Sequence, residues 1–166
     1  MPKATNSEER DRYQGEAIIK LLTELKNVIT NSVCTKISCF TQQTGIKIFI
    51  DLAKFYESVF SDGRCGIAHY DICELCLHAA VYEARFGSLE TAFEYFCKGF
   101  EHYKLFQSVL LMDEYQYTAP LVAKVNVKSQ SYEKTSDTFW NGWLSVFADG
   151  LLKRIKEDSR FAECFE

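Results

Sequence analysis

Hydrophobic positions recur at helical spacing along most of the chain. Between about residues 7 and 30 they keep an i, i+3, i+4, i+7 order, which predicts one long amphipathic helix. Asn6, followed three residues later by Glu9, is typical of a capping box at its start. Further helices are predicted over about 44–60, 67–86 and 88–111, whereas the pattern over 31–45 does not decide a state. The apolar stripe of the first helix comprises Ile18, Leu21, Leu22, Leu25, Val28 and Ile29.

The helical period disappears over residues 112–135. Pro120 excludes a continuous helical ladder there, and Leu121 to Val127 alternates weakly, as an extended segment or a short strand does. Helical spacing returns near Ser136 and predicts C-terminal helices over 136–166. Their predicted buried residues are Trp140, Trp143, Leu144 and Phe147, followed by Phe161 and Phe165 in a short terminal helix.

Two helical patterns meet at Gly87, where a glycine with positive φ can end the first helix and Ser88 can cap the second. Ala92 and Phe96 follow at the spacing that lets two helices approach closely, with an aromatic ring filling the adjacent volume. This order is typical of a tetratricopeptide-type helix–turn–helix unit. The other small residues of the predicted crossing are Ala79, Ala80 and Gly99.

These elements predict an all-α fold of five to six helices, stacked as antiparallel hairpins in a tetratricopeptide-like superhelix or bundle. A single domain spans 1–166. It consists of an N-terminal helical pair (7–60), a central hairpin (67–111), an irregular loop (112–135) and C-terminal helices (136–166).

Composition and charge exclude several classes of function. The chain has 166 residues, 47% of them hydrophobic, and a formal net charge of −4, so it lacks the basic footprint that a phosphate backbone requires. We expect no direct contact with nucleic acid and none with a membrane. Seven cysteines, an odd number, suit free thiols in a reducing cytoplasm, and the first residues lack the apolar core of a signal peptide.

Several short segments, taken in order, resemble the C-terminal tetratricopeptide-like region of bacterial Xre-type (Cro/repressor-like) helix-turn-helix regulators. The resemblance covers about residues 45–166. It rests on Phe60-Ser-Asp-Gly-Arg-Cys-Gly-Ile-Ala-His69, Tyr70-Asp-Ile-Cys-Glu-Leu75, the Gly87 turn, Phe100-Glu-His-Tyr-Lys-Leu-Phe106, Tyr117-Thr-Ala-Pro-Leu-Val122 and Lys153-Arg-Ile-Lys-Glu-Asp-Ser-Arg-Phe161.

The resemblance implies the regulatory part of a transcriptional regulator, without the DNA-binding helix-turn-helix that normally precedes it in that family. Residues 1–44 predict one long helix rather than a two-helix unit with a basic recognition face. We therefore expect a non-catalytic module for protein interaction or effector sensing. Its partner would be a protein or peptide, including a second copy of the chain. A stand-alone helical adaptor or scaffold is the alternative.

The candidate binding residues lie on one predicted helix. Glu74, Leu77, Val81 and Arg85 share a face that would line the inner side of a repeat hairpin and form a partner-binding groove, unless the N-terminal helices cover that stripe.

A metal or thiol sensor is a further alternative, because His69, Cys73 and Cys76 recur at i, i+4, i+7 and zinc is bound by nitrogen and sulfur donors. Cys97 or His102 could complete such a ligand set, although buried packing of these side chains is the simpler interpretation. The sequence predicts no catalytic residue and no cofactor.

Overall fold

The computed structural model describes residues 3–35, 42–128 and 133–148, together with residues 157 and 159. Most of them are helical, so the predicted all-α class is confirmed; the tetratricopeptide-like stacking stays a prediction. The elements are α1 (Lys3–Thr35), α2 (Gln42–Val59), α3 (Ala68–Phe86), α4 (Leu89–Leu110), β1 (Glu114–Gln116), β2 (Asn126–Lys128) and α5 (Glu133–Ala148).

Helix α3 is the central element of the fold. Twelve of its residues are buried, because α2 and α4 both pack against it and α1 and α5 cover much of what remains. Gly99 of α4 allows the closest approach of the hairpin: a Cβ there would lie 3.1 Å from Leu77 and 3.4 Å from the carbonyl oxygen of Cys73. The predicted close crossing of α3 and α4 is therefore present.

The turn between α3 and α4 differs from the expected one. Gly87 has φ −128° rather than a positive φ, and its N–H donates to the carbonyl oxygen of Glu83 at 2.8 Å. The Glu83 carboxylate also accepts from the Ser88 N–H at 3.0 Å, so side-chain capping replaces the left-handed glycine. Ser88 caps α4 as predicted, with its hydroxyl accepting from the Thr91 N–H at 3.4 Å.

The start of α1 also differs from the prediction. The helix begins at Lys3, so Asn6 and Glu9 lie within it, and the predicted capping box is wrong. The residues before Asn6 extend the helical ladder, which leaves Asn6 no role as the cap.

Left-handed glycines occur instead in the turn between α2 and α3. Gly63 and Gly66 have φ of 74° and 54°. A Cβ on Gly66 would lie 2.6 Å from Tyr115 and 2.8 Å from Tyr117, so the absence of a side chain lets the segment with β1 and β2, residues 114–128 (the hairpin segment), lie against this turn. The Ile67 N–H donates to the Tyr117 hydroxyl at 3.1 Å, which fixes that packing.

Residues 114–128 form a small antiparallel hairpin, within the segment where the helical period is lost. Tyr115 pairs with Val127 at its centre, while Glu114 pairs with Lys128. The predicted extended segment, Leu121 to Val127, is only partly a strand, because residues 121–124 form a turn in which Lys124 has φ 71°.

Helix α5 covers one face of the α3–α4 hairpin with aromatic rings. Trp140 is 9% exposed and stacks on Tyr103, with ring centroids 4.4 Å apart and planes at 11°. Phe139 packs on Tyr70 of α3 at 4.3 Å. The prediction that Trp140 is buried is confirmed, whereas Trp143 is only partly buried. The side chains of Leu144 and Phe147 and the predicted terminal helix with Phe161 and Phe165 lie outside the described residues.

Within the described ranges, none of the helices combines the length and apolar character that a membrane crossing requires.

Candidate functional site

The predicted partner groove is not an open surface. Leu77 is 0% exposed and Val81 7% exposed, because both pack in a cluster with residues of α4 and with Trp140 of α5. The expectation that these two side chains line a groove is therefore wrong, since sequence periodicity does not show that Leu77 faces Gly99 of α4 or that Trp140 of α5 joins the same cluster. Glu74 is partly exposed and Arg85 exposed. A role of these two in partner binding stays a prediction.

The residues of the alternative metal site do not converge. Cys73 belongs to the cluster beneath α5, whereas Cys76 packs in the cluster shared with α1 and α2, and both are fully buried. Burial raises the pKa of the Cys76 thiol to about 12 and that of Cys73 well above its ordinary value, so both are neutral thiols. In the part of the chain that the structure describes, no group of three or more His, Cys, Asp or Glu side chains is arranged to hold a metal ion.

His69 instead pairs with His102 of α4. Their Nδ1 atoms lie 2.8 Å apart, so one ring donates a hydrogen bond and the other accepts it. Burial, together with the neighbouring His102, lowers the pKa of His69 to about 4. A neutral histidine pair therefore bridges the start of α3 and the middle of α4.

A cavity of about 450 Å³ lies between α1, α2 and α3, and we call it the α1–α3 pocket. Its size falls within the range of small-molecule sites. Hydrophobic side chains and a polar cluster both line it. The lining residues are Ile19, Leu22, Thr23, Lys26, Asn27, Tyr56, Phe60, Ile67, Ala68, Tyr70, Asp71 and Glu74.

The polar cluster of this pocket is centred on Lys26. Its ammonium lies 3.2 Å from Asp71 Oδ1 and also donates to Glu74 Oε2. The side chains of Lys26 and Asp71 are 5% and 8% exposed, and that of Glu74 is 21% exposed. Burial lowers the pKa of Lys26, but the attraction of the two carboxylates raises it by more, so this pKa lies above its ordinary value. Lys26 is thus a cation and not a nucleophilic amine.

Asp71 is held by hydroxyl groups from two further helices. Thr23 of α1 donates to Asp71 Oδ2 at 3.0 Å, and Tyr56 of α2 donates to the same oxygen at 3.2 Å. Burial raises the pKa of Asp71 above its ordinary value, although Lys26 and both hydroxyls act in the opposite direction. These bonds join α1, α2 and α3 at one point in the pocket.

Helix α1 is one wall of the pocket and approaches the hairpin segment at Gly15. A Cβ on Gly15 would lie 2.6 Å from Val125 Cγ2 and 3.2 Å from the Val122 Cα, so only glycine permits this approach. Towards its C-terminal end α1 is held by Leu22 and Val33, which are 5% and 2% exposed. The close approach at Gly15 and the burial of Leu22 and Val33 together hold α1, and with it Lys26, at the wall of the pocket.

Three of the six residues in the apolar stripe of α1 are exposed, on the face of the helix opposite the pocket. Leu21, Leu25 and Val28 are 61%, 42% and 64% exposed, whereas Leu22 is buried. Helical periodicity shows that a stripe exists but not how much of it a neighbouring element covers. We call Leu21, Leu25 and Val28 the exposed α1 stripe.

Sequence reasoning missed Lys26, although a signal for it was present. Leu22, Lys26, Thr30 and Val33 recur at i, i+4, i+8, i+11 and are all buried, so a lysine occupies an otherwise inward-facing row. A charged residue in such a row indicates a buried ion pair or a site. Its partners Asp71 and Glu74 lie far away in sequence, and no local pattern identifies them.

No protein-family model matches this chain, and neither the curated proteins nor the solved structures contain a significant match.

Proposed function

We propose that this chain is a non-catalytic, effector-sensing interaction module and that the effector binds in the α1–α3 pocket. The observation that supports it is the buried Lys26–Asp71 pair at the wall of a cavity of about 450 Å³. Burying two charges has a desolvation cost that well-packed hydrophobic residues would avoid. Such clusters in clefts are typical of functional sites.

The arrangement of α1 supports a response to binding. One face of the helix lines the pocket with Ile19, Leu22 and Lys26, while the other carries the exposed α1 stripe. A ligand that favours one position of α1 shifts the population towards it, by no more than its difference in affinity between the two positions. The stripe, a surface available to a partner, moves with the same helix.

The resemblance to Xre-type regulators gives this module a biological setting. As the regulatory part of a bacterial transcriptional regulator, it would pass the change in α1 to a DNA-binding unit encoded in the same reading frame. A stand-alone adaptor is the second candidate, and the exposed α1 stripe supports it, because scattered apolar residues are ordinary but an aligned row is typical of interaction surfaces. A genomic reading frame that includes a DNA-binding unit upstream would favour the regulator, and a reading frame without one would favour the adaptor.

Filling the pocket tests the proposal. Ile19→Trp places a large ring at a lining position, and Ala17→Trp places the same ring on an exposed position of the same helix. We expect small metabolites that raise the melting temperature of the wild-type protein to lose that effect in the Ile19→Trp variant and keep it in the Ala17→Trp variant. Bound ligand should also slow hydrogen exchange in α1.

Two results would contradict the proposal. Compounds that stabilise the Ile19→Trp variant as much as the wild type would place the binding site elsewhere. Ligand binding that leaves hydrogen exchange in α1 unchanged would separate the pocket from any response of the helix.

A further inference from the structure

The α1–α3 pocket has an excess of negative charge. Asp71 and Glu74 contribute two carboxylates and Lys26 contributes one ammonium. His78 lies 3.9 Å from Glu74, but burial, and to a smaller extent Lys26, lowers its pKa to about 4, so it is neutral near pH 7. Among the described residues that line the pocket, one carboxylate charge is therefore left without a compensating cation.

The two carboxylates differ in accessibility. Asp71 is enclosed by hydrogen bonds from Thr23 and Tyr56 and its side chain is 8% exposed. Glu74 is 21% exposed and is held by Lys26 from one side. A ligand entering the pocket therefore meets the Glu74 carboxylate as its accessible charged group.

The pocket already binds one alkylammonium group, that of its own lysine. Lys26 Nζ lies 5.6 Å from the centroid of the Tyr70 ring while it contacts both carboxylates. Aromatic faces attract cations in this geometry. Ile19, Phe60 and Ile67 provide apolar wall area beside this cluster, against which a hydrocarbon body can pack.

We propose that the ligand of the α1–α3 pocket is a small organic monocation, an amine or guanidine with an apolar body, whose charge pairs with Glu74. This inference rests on the proposed function, since it names the class of effector. An anionic ligand would face two carboxylates, and a dication would exceed the single uncompensated charge. One positive charge on an apolar body matches both the charge and the walls.

Three molecules of similar shape and different charge test the inference. Phenethylamine is cationic, phenethyl alcohol neutral and hydrocinnamate anionic, and their affinities can be compared by calorimetry or by chemical-shift titration near pH 7. We expect the amine to bind more tightly than the alcohol and the acid to bind most weakly. Glu74→Gln should weaken amine binding by about 10-fold and leave alcohol binding nearly unchanged.

The matched control is Glu24→Gln, which removes an exposed carboxylate on α1 that pairs with Lys20 at 3.8 Å in an i, i+4 contact. It should leave amine affinity unchanged, and circular dichroism should show both variants folded. If Glu74→Gln is misfolded, the order of the three affinities in the wild-type protein decides alone.

The outcomes separate this inference from the proposed function. Acid or alcohol binding at least as tightly as the amine, with binding lost in Ile19→Trp, would overturn the cationic class while the effector pocket stands. No measurable amine binding would also overturn it. If the amine binds equally to wild type and Ile19→Trp, both proposals fail, because the pocket is then not the binding site.

Discussion

Replacing Lys26 by methionine is the most direct test of how the polar cluster affects stability. The change removes the ammonium that lies 3.2 Å from Asp71 Oδ1 and keeps a side chain of similar length and apolar character. Asp71 keeps the hydrogen bonds from Thr23 and Tyr56 but loses its only contacting cation among the described residues. A buried carboxylate is left unpaired.

The size of the effect follows from the geometry. At an effective dielectric constant of about 20, two unit charges 3.2 Å apart attract by about 5 kcal/mol. The methionine avoids the cost of burying the ammonium, and the two hydroxyl groups keep part of the stabilisation of Asp71. Breaking a buried pair on one side typically costs about 3–5 kcal/mol, so we expect Lys26→Met to lower the free energy of unfolding by about 3 kcal/mol near neutral pH.

The loss should depend on pH with a definite sign. Burial raises the pKa of Asp71, and removing Lys26 removes one of the groups that oppose this rise. The folded variant then binds a proton at a pH where the unfolded chain does not, so lowering the pH stabilises the folded state of the variant relative to wild type. The deficit should be largest near about pH 8 and smaller near about pH 5.

Urea denaturation followed by far-ultraviolet circular dichroism measures this deficit. The control is Lys20→Met on the same helix, whose exposed 3.8 Å pair with Glu24 should contribute below about 0.5 kcal/mol. In the Lys26→Met/Asp71→Asn double variant we expect most of the loss to be recovered. The reasoning fails if Lys26→Met costs no more than Lys20→Met, or if its deficit is the same in the Asp71→Asn background.

The remaining predictions concern two glycine positions, one in α5 and one in α4, and the His69–His102 pair. Gly142→Ala in α5 should raise the free energy of unfolding by about 0.5–1 kcal/mol through helix propensity, because a Cβ there would meet no atom of the described residues within 4 Å. Gly99→Ala in α4 should lower it by about 1 kcal/mol, because the added Cβ would lie 3.1 Å from fully buried Leu77. Chemical denaturation measures both changes, and equal effects would contradict this reasoning. Because the unfolded chain protonates His69 near its ordinary pKa of 6.5 and the folded chain only near 4, stability should fall as pH decreases through this window, by up to about 3 kcal/mol. His69→Gln, which can still bond His102, should flatten that part of the profile, and an unchanged profile would refute it.

Local patterns predicted the helices well because local physics determines them. The boundaries of α2, α3 and α4 lie within two residues of the predicted ones, since 3.6-residue periodicity and the Ser88 cap act over a few neighbouring residues. The same reasoning included Gly99 among the small residues of the crossing, and there a Cβ would be tight against Leu77.

The candidate site could not be predicted in the same way. Its central bonds join α1 to α3 over 48 residues, from Thr23 to Asp71 and from Lys26 to Glu74. Helical periodicity shows which side chains share one face of a helix, but it does not show which other element packs against that face. For this reason Leu77 was expected on an open groove, whereas it packs against α4 at Gly99.

The two faces of α1 give the pocket a physical route to a partner. Lys26 and the exposed α1 stripe belong to one continuous helix. A ligand that changes the hydrogen bonding of Glu74 therefore acts, through the Lys26–Glu74 ion pair, on the same helix that carries Leu21 and Leu25. A tenfold preference for one position of α1 corresponds to about 1.4 kcal/mol, which is a typical coupling free energy between two sites. The close approach of Gly15 to Val125 and the burial of Val33 hold α1 on the two sides of Lys26, so a shift of the helix has to be accommodated at one of these two contacts.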